Sequence, residues 1–206
     1  MVECKDARLL DGMSPVQEIW NAVTMACPTF VAMWFLWSPP SPDFVGWRPI
    51  VMALGLILHL PFSCAYHLLL ARRELHDAVD NVPRRLDQSF IHVAAIFIVN
   101  GTSSSFIYAG VASLLNLYFL CRLWPLGGDA GWIERMVNVG VGVLSYGLPG
   151  LFQQEYRLFL VGVAYFIGGA AAMILRLGGW GHGIMHICLG GLAYQVFSFV
   201  GKLNDT

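Results

Sequence analysis

Charged residues are absent from long stretches of this chain. The runs 19–42, 49–71, 88–121, 136–154, 158–175 and 177–201 contain no Asp, Glu, Lys or Arg, and charges crowd into the short segments between them. A helix that crosses a bilayer takes about 20 mostly apolar residues, so five of these runs each predict one span. The run 88–121 is too long for a single helix, and its middle reads Asn100-Gly101-Thr102-Ser103-Ser104-Ser105. A small polar cluster of this kind marks a turn and divides the run into two shorter helices. The pattern predicts an all-α, integral membrane, seven-transmembrane-helix bundle, a single domain over 1–206. Its expected spans are roughly 19–38, 49–70, 86–102, 106–123, 134–152, 157–175 and 181–200. The segments between them are too short to hold a soluble domain.

Composition agrees with a lipid environment. Hydrophobic residues make up 57% of the chain and charged residues 12%, about half the charge of an ordinary soluble domain. A chain of 206 residues cannot hide that much apolar surface inside itself. A net charge of −1 gives no footprint for nucleic acid, and the low charge excludes a disordered chain. Cys4, Cys27, Cys64, Cys121 and Cys188 are scattered without CxxC spacing, which argues against a disulfide framework or a cysteine-bound metal. They are expected as small buried apolar side chains.

Basic residues then set an orientation. With seven spans, Lys5, Arg8, Arg72, Arg73, Arg84, Arg85, Arg122, Arg135 and Arg176 fall on one side, and Arg48, Arg157 and Lys202 on the other. Nine against three places the N-terminus in the cytoplasm and the C-terminus outside. The sequons Asn100-Gly101-Thr102 and Asn204-Asp205-Thr206 are then expected to be silent, one at a tight membrane turn and one at the terminus. Most of the tryptophans lie near span ends, as an aromatic belt should, and glycines concentrate in the last two spans, where small faces let helices approach closely.

Ionisable groups inside spans are costly, so each one is a functional candidate. His182 and His186 are four residues apart, one turn from each other on one helix face. Two imidazoles at that spacing can share a metal ion, as in the HExxH zinc motif. Catalytic zinc commonly takes three protein ligands and keeps a fourth position for water, and His67 would complete the three. Topology gives an independent check: the inner end of the second span carries His67, Asp87 opens the third span on that same side, and His182 opens the seventh. A six-span count would put the His182/His186 pair at the opposite face.

Each residue also has a plainer reading. Asp87 alone suits a helix N-cap, Ser63 alone suits a packing hydroxyl bonded to a carbonyl one turn back, and a lone His pair can bridge helices. His59 is expected in an interhelical hydrogen bond, with a backbone carbonyl freed by Pro61 as a candidate acceptor. His92 is expected to face away from Asp87, and His76 to sit in the inner loop in contact with solvent.

Taken together, Ser63-x-x-x-His67, Arg85-Leu86-Asp87 and Gly181-His182-x-x-x-His186 resemble the hemolysin III family. That family belongs with the progestin and adipoQ receptors and the alkaline ceramidases, a superfamily of seven-span metal hydrolases. Asn21-Ala22-Val23-Thr24 and Asn100-Gly101-Thr102 extend the resemblance over nearly the whole chain. Met25 and Gln88 depart from it, since His is frequent at both positions; neither is an expected ligand. The resemblance implies Zn2+ held by His67, His182 and His186, with Asp87 taking or orienting the proton of an activated water and Ser63 donating a hydrogen bond in the site. It implies an enzyme that hydrolyses a lipid amide or ester within the bilayer. The family also admits a receptor in which a bound lipid ligand biases helix packing and zinc is structural, and a cytolytic, pore-like activity. Minimal loops favour the enzyme over the receptor, and the lack of polar stripes along several spans disfavours a pore.

Overall fold

A computed structural model describes residues 13–40, 44, 46–75, 81–124, 132–175 and 177–203. Cys4, Lys5, Arg8, His76, Arg176 and the Asn204 sequon lie outside the described residues, as do the side chains of Trp132, Arg135 and Lys202. Among the described residues the fold is all-helical, with no strand. Its elements are α1 (Pro15–Thr24), α2 (Ala26–Trp37), α3 (Trp47–Ala71), α4 (Val82–Thr102), α5 (Phe106–Leu123), α6 (Trp132–Phe152), α7 (Tyr156–Ile174) and α8 (Gly181–Leu203), with a 3-10 turn at Leu177–Gly179 before α8.

Among the described residues, five stretches are long and apolar enough to cross a membrane: Pro15–Trp37, which joins α1 and α2, Trp47–Ala71, Phe106–Leu123, Tyr156–Ile174 and Gly181–Val200. The α4 helix carries Arg84, Arg85 and Asp87 and does not reach that hydropathy, and the apolar part of α6, Val137–Phe152, is shorter. The outward side chains are those expected of lipid contact. Phe106, Ile107, Val111 and Leu114 on α5, and Leu160 and Ile167 on α7, are all well exposed. Burying such side chains in water-free surroundings is the main apolar gain open to a chain with this composition.

Two helices begin earlier than the charge pattern predicts, for one reason: a local cap. Ser14 accepts from the Gln17 backbone N–H (3.3 Å) while Gln17 Oε1 accepts from the Ser14 N–H (2.8 Å), a reciprocal capping box with Pro15 at the first helical position. The helix therefore starts at Pro15 rather than 19, and Glu18 falls inside it. Likewise Asn81 caps α4 by accepting from the Arg84 N–H (2.8 Å). Asp87 consequently sits in the second turn of α4 and is not its N-cap.

The antiparallel pair α3/α4 forms one side of the bundle. Phe62 stacks on Phe90 with ring centroids 3.9 Å apart. At the far end, Arg48 donates to the carbonyls of Gly101 (3.1 Å) and Ser103 (2.9 Å), satisfying orphan acceptors and placing a cation at the negative end of α4. The other side is α8, packed along α7 and against α1 and α2. Phe35, Met52, Ala53, Val99, Phe197 and Val200 fill the centre. The break between α4 and α5 falls at Ser103–Ser105, where the polar cluster predicts it, and Ser105 caps α5. Asn100 is inside α4, donating to Ile96 O (2.8 Å) and Ser113 Oγ (2.9 Å). Among the described residues, Cys27, Cys64, Cys121 and Cys188 are free; against the expectation of burial, Cys27, Cys64 and Cys188 are half-buried and Cys121 is exposed.

Candidate metal centre

Local sequence delivers each histidine to the same end of the bundle. His67 lies one turn before the end of α3. His182 and His186 occupy the first two turns of α8, which follow a turn with left-handed backbone at Gly178 (φ 64°) and Gly179 (φ 91°). Glycine adopts that conformation without a Cβ penalty, and a Cβ on Gly179 would lie 2.5 Å from Gln17. Gln17 Nε2 donates to Gly178 O (2.6 Å), and Trp20 meets Trp180 edge to face. The start of α1 thus fixes the start of α8.

The ligand atoms of His67, His182 and His186 all lie within 4.8 Å of one another. Ring centroids are 4.9 Å apart for His67 and His182, 5.7 Å for His67 and His186, and 4.6 Å for His182 and His186. Nitrogens sharing one tetrahedral zinc stand about 3.3 Å apart by its usual bond lengths, so the set converges and has to close further around an ion.

Hydrogen bonds determine which ring nitrogens face the centre. His67 Nδ1 is 2.7 Å from Glu18 Oε2. A carboxylate only accepts, so Nδ1 carries the proton and Nε2 is a bare lone pair. That Nε2 is buried and has no hydrogen-bond partner among the described residues. His186 Nδ1 is 3.0 Å from the Asn21 carbonyl and 3.3 Å from Thr24 Oγ1, and the carbonyl again fixes the proton on Nδ1. A buried acceptor without a donor is unfavourable unless something else satisfies it. Three imidazoles whose ligand atoms lie within 4.8 Å of one another fit a borderline transition metal such as zinc.

Beside the histidines lies a second network. Asp87 Oδ1 is 3.1 Å from His59 Nε2, and Ser63, one turn along α3 from His59, is buried. His59, Ser63 and His67 are spaced by four and share one stripe of α3. The expectation for His59 is corrected in its partner: the interhelical bond goes to the Asp87 carboxylate, not to a carbonyl freed by Pro61. His92 faces away, as expected, and pairs with Asn116 Oδ1 (3.1 Å), whose amide donates to Ser145 Oγ (3.3 Å). An apolar cleft of about 480 Å³ between α6, α7 and α8, lined by Val143, Gly147, Gly162, Leu192 and Phe199 among others, lies along the later turns of α8 and includes none of the three histidines.

Of the five site residues expected from sequence, His67, His182 and His186 converge, Ser63 is buried one turn from His67 on α3, and Asp87 pairs with His59 on that same helix. Glu18 is the residue that sequence reasoning missed. Ending the apolar run at 19 treats it as a solvent-side boundary, yet it is almost fully buried. Two signals were available: the Ser14-x-x-Gln17 box starts the helix before Glu18, and Glu18, Asn21 and Ala22 follow i, i+3, i+4 spacing on one buried face.

Comparison of the chain with family models, characterised proteins and solved structures finds no match.

Proposed function

We propose that this protein is a seven-span membrane hydrolase with its N-terminus in the cytoplasm, using zinc held by His67, His182 and His186 to cleave a lipid amide or ester. One observation carries the reading. The Nε2 of His67 is buried, has no hydrogen-bond partner among the described residues and stands with two further imidazoles whose ligand atoms lie within 4.8 Å, while a His59–Asp87 pair links the same helix to α4. Seven crossings accord with it, because an odd count puts the end of α3 and the starts of α4 and α8 on the same side.

When bound, zinc supplies the Lewis acidity that makes water nucleophilic near neutral pH. The chain's own residues do the rest. Asp87 takes the proton of the attacking water and returns it to the leaving amine or alcohol, as a general base and then a general acid. Ser63 and His59 hold the Asp87 carboxylate in one orientation, which keeps it aimed at the water throughout the reaction. Surrounding helices keep bulk water out, so these charges act in a low dielectric.

Two measurements test the proposal. Purified wild-type protein should contain close to one zinc per chain and His186→Ala far less; equal, near-zero zinc in both rejects the metal. Incubated with ceramides and phospholipids, wild type should release fatty acid and Asp87→Ala should not. If Asp87→Ala retains zinc and releases fatty acid at the wild-type rate, the catalytic role of Asp87 is wrong.

A further inference from the structure

We propose that Glu18 is the charged positioning residue of the three-histidine centre, acting through His67; this rests on the metal reading above. An imidazole ligates a metal through a neutral ring, so a charge in contact with the three ligands has to come from another residue. Glu18 supplies it: its Oε2 lies 2.7 Å from His67 Nδ1, and both side chains are almost completely buried. His186 contrasts with this, since its Nδ1 meets an uncharged backbone carbonyl, Asn21 O. A carboxylate on the far nitrogen of a ligating imidazole fixes its tautomer, holds the ring in place and makes it a stronger donor.

Glu18 is itself held in place. Asn21 Nδ2 lies 3.3 Å from the same Oε2, and Glu18 and Asn21 are one turn apart on α1. A single short helix therefore supplies the hydrogen-bond partner of His67 through Glu18, and that of His186 through the Asn21 carbonyl. A Gln in its place would accept the same His67 proton without the desolvation cost of a buried carboxylate, so the hydrogen bond alone does not call for the charge. Its charge is what a metal site uses and a helix contact does not.

The test compares wild type, Glu18→Gln, Glu18→Asp and His186→Ala as full-length protein in detergent. Zinc affinity is read by competition with a chelator, and thermal unfolding is read on the metal-free forms. Glu18→Gln preserves shape and a hydrogen-bond acceptor but removes the charge, so zinc affinity should fall about 10–100-fold while the metal-free unfolding midpoint stays at or above that of wild type. Glu18→Asp keeps the charge and should recover part of the affinity. Wild-type zinc affinity in Glu18→Gln overturns the positioning role while leaving the metal reading intact. A loss of affinity matched by a lower metal-free midpoint assigns Glu18 to structure and overturns it as well. Absence of zinc binding in wild type, indistinguishable from His186→Ala, removes the metal reading and this proposal with it.

Discussion

The close approach of α3 and α4 predicts opposite outcomes for one substitution at two glycines. A Cβ built on Gly55 would lie 2.8 Å from Phe97 Cβ and 3.2 Å from both Cα and O of Ala94. Ordinary contact begins at 3.4 Å, so Gly55→Ala forces the helices apart by about 0.6 Å or more. None of the opposing atoms can be swung aside by a rotamer change, since two are backbone and one is a Cβ. Overpacking of this kind costs about 1–3 kcal/mol. Gly110 on α5 has open space around its Cβ position, so Gly110→Ala carries the helix-propensity gain of up to about 1 kcal/mol and no clash. That gain is common to both variants and cancels in their difference, which should be about 1–3 kcal/mol. Unfolding midpoints in one detergent measure it. Gly55 also stands one turn before His59, whose 3.1 Å bond to Asp87 is at the edge of what 0.6 Å of separation allows; lipid hydrolysis should fall in Gly55→Ala although no site residue is changed. Stabilities of the two variants within about 0.5 kcal/mol of each other would refute the close packing from which this reasoning starts.

Three further variants probe the polar networks. His59→Phe removes a donor from Asp87 and leaves the carboxylate with less support, which should cost about 1–3 kcal/mol and reduce hydrolysis, with His59→Gln milder because it retains an N–H; equal activity of all three forms would remove His59 from the site. Asn116→Leu unpairs His92 and removes a donor from Ser145 Oγ, which keeps its bond to the Gly142 carbonyl, and should lower the unfolding free energy by about 0.5–2 kcal/mol with zinc content unchanged, measured by unfolding and metal analysis.

The sequence made the site more legible than the helix boundaries. Four-residue spacing on α3 and α8 is a local property, so the faces of His67, Ser63, His182 and His186 can be read directly from residue numbers. Helix starts depend instead on caps, and Ser14 and Asn81 each extend a helix several residues into a charged segment that hydropathy assigns to a loop. That same error makes Glu18 a boundary residue and sets Asp87 at the opening of its helix, where a cap is its plainer reading, instead of in the second turn. The His59–Asp87 pair was illegible for a different reason. Its partner depends on how α3 and α4 rotate against each other, which Gly55, Ala94 and the Phe62–Phe90 stack determine and which periodicity on either helix alone does not.

The order in which the chain is made bears on when this centre can exist. Glu18 and His67 are 49 residues apart, whereas Asn21 and His186 are separated by 165 and Gln17 and Gly178 by 161. Synthesis proceeds from the N-terminus, so the α1–α3 segment with His67 is complete long before His182 and His186 leave the ribosome. Closing loops of that length is slow and comes late. A three-histidine set built in this way stays incomplete until the final helix docks against the first, so possession of the ion would certify that the whole bundle has been assembled.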